Sequence, residues 1–251
     1  MSKLFVCGDT HGSHDLGKLS VFATTPVGKS LTKDDYVVVL GDWGGYWDNP
    51  DGIREQAILG KYYQFPWTTL IIDGNHDNHV RLQAKPIINM FGGKVSQLLE
   101  NMYYLRRGQI LTINDKSIFI MGGGYSIDKD YRVPNESWWH QEIPSDEEFE
   151  LGLSALKAND YKVDYVFTHS PPRSVIDTLA RDGVTMELHP NIEFKARYED
   201  GCSIGLQRIF DKIEFKEWHC GHMHIDLVLY GEDKEHFHIH YNNPPFEIKD
   251  R

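Results

Sequence analysis

The chain is poor in cysteine, in basic charge and in long apolar runs, and each shortage removes a class of protein. Its three cysteines, Cys7, Cys202 and Cys220, are an odd number and show no CxxC spacing. A disulfide scaffold needs a denser, paired set, so reduced thiols and a cytoplasmic location are expected. Cys7 closes an apolar run and reads as a small buried hydrophobe. Cys220 lies beside a histidine motif, where a thiol can reach a metal, but a plain reduced thiol is the simpler reading. Lys and Arg total 26 against 37 Asp and Glu, a formal net charge of −11. That balance argues against long nucleic acid as a partner, although it leaves room for a local basic groove. It suits a site where bound cations, not side chains, attract an anionic substrate. The N-terminus enters a strand-like run directly, with no apolar stretch long enough for a signal peptide or a membrane span, so no membrane partner is expected.

What remains is ordinary in bulk: 40% hydrophobic and 25% charged residues in a chain of 251. That length buries a substantial core in one domain, taken as residues 1–251. No internal repeat, low-complexity tract or linker is visible.

Five motifs stand out, each following an apolar run. They are Gly8-Asp9-Thr10-His11-Gly12, Gly41-Asp42-Trp43-Gly44-Gly45, Gly74-Asn75-His76-Asp77, Thr168-His169-Ser170-Pro171-Pro172 and Gly221-His222-Met223-His224. Nitrogen and oxygen donors without thiolate suit borderline divalent ions such as Mn, Fe, Zn or Ni. The donors outnumber the needs of one ion, so two ions sharing a bridging group are implied. Such a pair, about 3.5–4 Å apart, is a device for in-line displacement at phosphorus.

Short apolar runs alternate with helix-like stretches, which predicts an α/β fold. Strands are expected at Leu4–Cys7, Tyr36–Leu40, Thr69–Ile72, Ile118–Met121, Tyr165–Thr168 and Trp218–Cys220. Helices are expected at Ile53–Gln64, Asn78–Asn89 and Asp146–Lys157, the last opened by a Ser145 to Glu148 capping box. Leu227–Tyr230 and His236–Tyr241 flank a Gly-Glu-Asp-Lys-Glu turn and read as a hairpin. The Pro244-Pro245 tail is expected at the surface. In an open α/β sheet ligands bind beyond the carboxyl ends of strands, so five of the six runs deliver their donors to one edge.

In this order and spacing the motifs resemble the calcineurin-like metallophosphoesterases, whose signature runs here from Asp9 to His224. The resemblance implies a four-layer α/β/β/α sandwich and two divalent ions, Mn being favoured and Fe, Zn or Ni the alternatives. It places Asp9, His11 and His224 on one ion, Asn75, His169 and His222 on the other, and Asp42 between them. It makes His76 a general acid facing the substrate. The chemistry asks for the same roles: a carboxylate shares its charge between two cations, a water held by two metals becomes acidic, and a leaving alkoxide needs a proton.

The sequence departs from the protein Ser/Thr phosphatase branch. Gly45 replaces the acid that orients the catalytic histidine, Tyr46 stands where a phosphate-binding Arg would be, and Asp77 replaces a Glu. Asp48 is the candidate orienting partner of His76. The run from Gly122 through Lys129 to Arg132 resembles a segment found in bacterial and debranching-type members, whose backbone amides can cradle phosphate, with Lys129 or Arg132 adding charge. Its plainer reading is a tight turn with a surface ion pair. Asn75, Arg132 and Tyr46 are the candidate substrate contacts. Tyr46, Trp47, Trp138 and Trp139 can stack on a base, although aromatics more often fill cores. His236, His238 and His240 alternate like a metal rack, but no acid alternates with them, and a polar strand face is the favoured reading. His14, His79, His140 and His189 read as surface or structural, with His79, close after the third motif, also a candidate for the substrate mouth.

The function expected is a dinuclear phosphoesterase acting on a small or nucleotide-like phosphodiester or phosphomonoester. A phosphoprotein phosphatase, a nuclease and a non-catalytic binding module on the same fold are the alternatives. An intact donor set and the retained non-ligand His76 favour the enzyme.

Overall fold

A computed structural model describes residues 2–47, 52–184, 196–230 and 236–249. Its strands form two sheets. One runs β13 (Phe246–Glu247), β1 (Leu4–Cys7), β2 (Tyr36–Leu40), β3 (Thr68–Ile72), β6 (Met102–Leu105), β5 (Gly93–Leu99) and β4 (Ile87–Met90). The other runs β11 (Leu227–Tyr230), β12 (His236–Ile239), β10 (Glu217–Cys220), β9 (Tyr165–Thr168), β8 (Lys116–Met121) and β7 (Gln109–Ile113). The strands that lead into the five motifs, β1-β2-β3 in one sheet and β9-β10 in the other, lie parallel to their neighbours at the centre of each sheet, with β8 parallel beside β9. Antiparallel strands close the edges.

Strand side chains alternate between two faces, and that alternation builds the layers. Leu4, Val6, Val38, Leu40, Leu70 and Ile72 face Ile118, Ile120, Tyr165 and Phe167 in a core between the sheets. Phe5, Cys7, Val37, Val39 and Ile71 point the other way, onto α1 (Gly17–Thr24) and α3 (Ile53–Gln64) through Leu19, Phe22, Ile58 and Tyr62. The short α2 (Pro26–Ser30) follows α1 directly. On the far side Phe119, Met121, Val166 and Trp218 pack against α5 (Asp146–Ala158), α6 (Arg173–Arg181) and α7 (Gly201–Phe210). The result is the expected α/β/β/α order. At the start of α5, Ser145 Oγ accepts from the Glu148 N–H while the Glu148 carboxylate accepts from the Ser145 N–H, the predicted capping box.

The helix expected over Asn78–Asn89 is instead a short one, α4 (His79–Gln83), followed by strand β4. Pro86 explains the break, because its ring lacks an N–H and disfavours helix for the residue before it. Strands β5, β6 and β7, for which the sequence reading assigned no element, extend both sheets. Among the described residues no helix is long and apolar enough to cross a membrane.

Candidate metal centre

Loops leaving β1, β2, β3, β9 and β10 converge at one edge of the two sheets. Their backbone is unusual: His11, Asp42, His222 and His224 have positive φ of 40°, 50°, 66° and 51°. Non-glycine residues rarely hold such angles, and strain of this kind clusters at functional sites. The glycines allow close approach. A side chain at Gly74 would meet Asp42 Oδ1 at 2.1 Å, and one at Gly221 would meet Asp9 Oδ1 at 2.2 Å.

Asp42 lies at the centre. Its Oδ2 is 3.3 Å from His11 Nε2, and its Oδ1 is 3.4 Å from His169 Nε2. The His76 N–H donates to the same Oδ1 at 2.7 Å. Asp9 is fully buried, with Oδ2 3.3 Å from His224 Nε2, yet that oxygen accepts no hydrogen bond of normal geometry among the described residues. Asn75 Oδ1 lies 3.0 Å from His169 Nε2 and 2.9 Å from His222 Nδ1. Donor atoms of Asp9, His11 and His224 lie within 4.8 Å of one another, as do those of Asp9, Asp42 and His169. These clusters can hold metal.

The surroundings prepare the donors. Asp15 Oδ2 accepts from His11 Nδ1 at 2.7 Å, and the Leu40 carbonyl accepts from His169 Nδ1 at 2.7 Å. Each contact turns the ring's other nitrogen toward Asp42, the arrangement that orients imidazole ligands at metal sites. The Asn75 amide donates to Ser126 Oγ at 3.0 Å, and Ser126 donates to Glu142 Oε2 at 2.6 Å, so Asn75 Oδ1 is held toward the imidazoles. Asp15, Ser126 and Glu142 were not singled out as site residues in the sequence reading. Only the flagged Gly122–Arg132 run pointed toward Ser126.

The carboxylates and imidazoles of the cluster shift one another's proton affinities. Burial pushes the Asp9 and Asp42 carboxyls up, but opposing charge, led by His169, leaves both below the ordinary carboxylate range and Asp42 well below it. Burial likewise works against charge on His11 and His169, yet the carboxylates outweigh it, Asp42 foremost, and raise them to about 9 and about 10. Burial and then the charge of His169 push His222 down to about 3. Burial also lowers His76, with partial compensation from Asp42 and, further down, Asp128.

A cavity of about 580 Å³ opens on this cluster, lined by His11, His76, His224, Trp47, Arg132 and Tyr241 among others. Arg132 is held there by Asp128 at 2.6 and 2.8 Å, and its guanidinium lies 5.9 Å from the Trp47 ring. The other expected contacts differ. Tyr46 is 3% exposed, edge-on to Trp43 and covered by Arg81 and Lys85, so it offers no stacking face. Trp139 is buried, and His79 is buried against Asp73 at 3.3 Å instead of lining the mouth. The glycine-run amides are spent internally: Gly123 N–H on the Asp73 carbonyl, Gly124 N–H on the Glu142 carbonyl and Ser126 N–H on Glu142 Oε1. Lys129 pairs with Glu199 at 2.8 Å. His14 is exposed at the cavity rim. Cys220 sits in the helix-side core, with burial pushing its thiol up. Asp48 and His189 fall outside the described residues.

The calcineurin-like phosphoesterase family model matches residues 2–231, and the chain belongs to that family. Among solved structures, the phosphopantetheinyl hydrolase of Mycobacterium tuberculosis aligns over 96% of this chain and 90% of its own, at 14% identity and TM-score 0.46. A protein of unknown function from Aquifex aeolicus aligns over 68% of this chain and 81% of its own, at 18% identity and TM-score 0.35. No curated protein matches the chain.

Proposed function

We propose that the chain is a dinuclear metal-dependent phosphoesterase acting on a small phosphate ester, a phosphodiester or nucleotide-like molecule before a phosphoprotein. The observation that carries this reading is the position of Asp42, whose two oxygens face His11 on one side and His169 on the other. Asp9, His11 and His224 would hold one ion, Asn75, His169 and His222 the second, with Asp42 shared. Bound divalent ions there supply polarisation of the phosphoryl oxygens and an acidified water. Mn is the favoured ion, with Fe, Zn or Ni as alternatives, because these donors accept several borderline ions.

The chain's own residues do the rest. His76, at the cavity wall beside Asp42, donates a proton to the leaving oxygen, and its depressed basicity leaves it a ready donor once charged. Trp47 lines the cavity in steeply tilted contact with His76 and Trp139, at centroid distances of 6.3 and 5.3 Å, with Arg132 over its ring. Its indole is the surface there for the planar part of an ester. Arg132 contacts the phosphate, but its charge is already matched by Asp128, so it gives less to a monoester dianion than a free guanidinium would. This favours diesters, whose smaller charge two metals can neutralise. The cavity volume falls in the small-molecule range of roughly 300–1,000 Å³. The test compares turnover of bis(nitrophenyl) phosphate, nitrophenyl phosphate, nucleotides and a phosphopeptide, with Mn, Ni, Zn and Mg supplied separately. A preference for the phosphopeptide overturns the substrate class. No turnover of any ester at full metal occupancy favours a binding module.

A further inference from the structure

The layer between the sheets changes character along β10 and β12. On β8 and β9 its residues are Ile118, Ile120, Tyr165 and Phe167. On β10 and β12 the partners Trp218, Cys220, Phe237 and Ile239 go to the helix side, which leaves Glu217, His219, His236 and His238 on the inner face, followed by His240. Parallel pairing sets Glu217 beside His236 and His219 beside His238. The acid missing from the His236-His238-His240 alternation is therefore supplied by the neighbouring strand. His219, His238 and His240 are 0%, 4% and 8% exposed, and Glu217 is 5% exposed.

We propose that His219, His238 and His240 form a further divalent-metal site, distinct from the catalytic cluster, with Glu217 orienting His219. His219 Nδ1 lies 3.0 Å from His240 Nε2, and a donor nitrogen of each of the three lies within 4.8 Å of the others. Ligand nitrogens around a tetrahedral zinc, with Zn–N about 2.0–2.1 Å, stand roughly 3.4 Å apart, so small ring movements accommodate an ion. His219 Nε2 donates to Glu217 Oε2 at 3.1 Å, which leaves Nδ1 as the lone-pair nitrogen and reproduces the carboxylate–histidine pairing of metal ligands. Burial and the neighbouring imidazoles push His240 well below its ordinary value, toward the proton-free form that binds metal. Three nitrogens without thiolate select a borderline ion such as Zn²⁺ or Co²⁺. Glu217 also lines a cavity of about 380 Å³ with Pro244, Pro245 and Phe246. The role is structural. The ion would link β10 to β12 within one sheet, and Phe246 of β13, on the opposite sheet, packs against all three rings, so the site lies in the polar part of the layer between the sheets.

The test titrates Zn²⁺ and Co²⁺ into metal-free protein of full length and follows stoichiometry, the Co²⁺ visible spectrum and melting temperature. Wild type is expected to bind one equivalent more than His238→Ala and to show the intense visible absorption of low-coordinate Co²⁺, which that variant loses. Glu217→Gln keeps the size of the buried side chain and should weaken this equivalent by about 10–100-fold. Asp42→Asn supplies an arm that does not depend on altering the buried layer: one equivalent should survive loss of the catalytic carboxylate. Unchanged stoichiometry and spectrum in His238→Ala and Glu217→Gln overturn the proposal. So does the disappearance of all bound metal in Asp42→Asn, which leaves the imidazoles as a hydrogen-bonded cluster only.

Discussion

The carboxylate of Asp77 ties two ligand loops together: Oδ1 accepts from the Gly44 N–H at 2.9 Å while Oδ2 accepts from the Gly74 N–H at 2.8 Å. Asp42 sits two residues before the first glycine, and Asn75 and His76 follow the second. The Asp77 carboxylate thus fixes the spacing between Asp42 and the Asn75–His76 pair through backbone N–H groups. Burial and the nearby Asp42 push its carboxyl up to about 7. Asp77→Ala leaves two backbone donors unpaired, each costing about 1–3 kcal/mol. The expected result is a lower melting temperature with weaker metal retention, read by denaturation and metal analysis on the same sample. A variant with wild-type stability and metal content would show the tether to be idle.

Metal binding should release protons. In metal-free protein His11 and His169 stay protonated up to about 9 and about 10, because the carboxylates beside them outweigh burial. Both values are raised above the ordinary histidine value of about 6.5. Their contribution to metal-free stability is therefore complete below that value and is lost as pH rises through about 9–10. A cation would displace the same protons, so apparent affinity climbs as pH rises toward about 9–10 and levels off above it, and about two protons leave the fully loaded cluster at neutral pH, one each from His11 and His169. Calorimetric titration in two buffers of different ionisation enthalpy measures the release. Identical heats in both buffers would contradict this account of the cluster.

Much of this organisation is legible in the chain. The runs at Leu4–Cys7, Tyr36–Leu40 and Tyr165–Thr168 match their strands to the residue, because β-strands buried on both faces read as unbroken apolar stretches. The helix that was misplaced, Asn78–Asn89, had acceptable apolar spacing but carried Pro86, a local signal that outweighs periodicity. Other features were hidden because they depend on pairing across the fold. Nothing near His238 in sequence announces Glu217 and His219 on the adjoining strand. Tyr46 follows a ligand motif but turns inward onto Trp43, a choice that packing makes and hydropathy does not record. Asp128 lies far from His76 in sequence and acts on it through space because the glycine run folds back over Asn75.

His76→Ala should lose turnover and keep metal. A positioned general acid contributes about 10²–10⁴-fold, and the loss should shrink for nitrophenolate leaving groups, which scarcely need the proton. Asp128→Asn should act in the same direction more weakly, by removing a carboxylate that favours charged His76, and should move the alkaline limb of the pH–rate profile, where the general acid loses its proton, to lower pH. Turnover on esters of poor and good leaving groups, with metal content measured alongside, separates these cases. Equal losses on both esters, or loss of metal, would make His76 a ligand or a structural residue.

Asp42→Asn should be the most damaging single change among the donors. The amide keeps the shape of the side chain but removes the charge that lets two cations lie close together, and like-charge repulsion between them then goes unopposed. It also offers one acceptor oxygen where the carboxylate offered two, so it cannot serve the His11 and His169 sides alike. Both equivalents at the catalytic cluster should fall relative to wild type, whereas His224→Ala, at the more exposed side of the cluster, should weaken mainly the equivalent it shares with Asp9 and His11. Metal analysis of the purified variants decides between them. Unchanged metal content in the Asp42 variant would sink the bridging assignment, since a shared carboxylate cannot be neutralised without both ions feeling the loss.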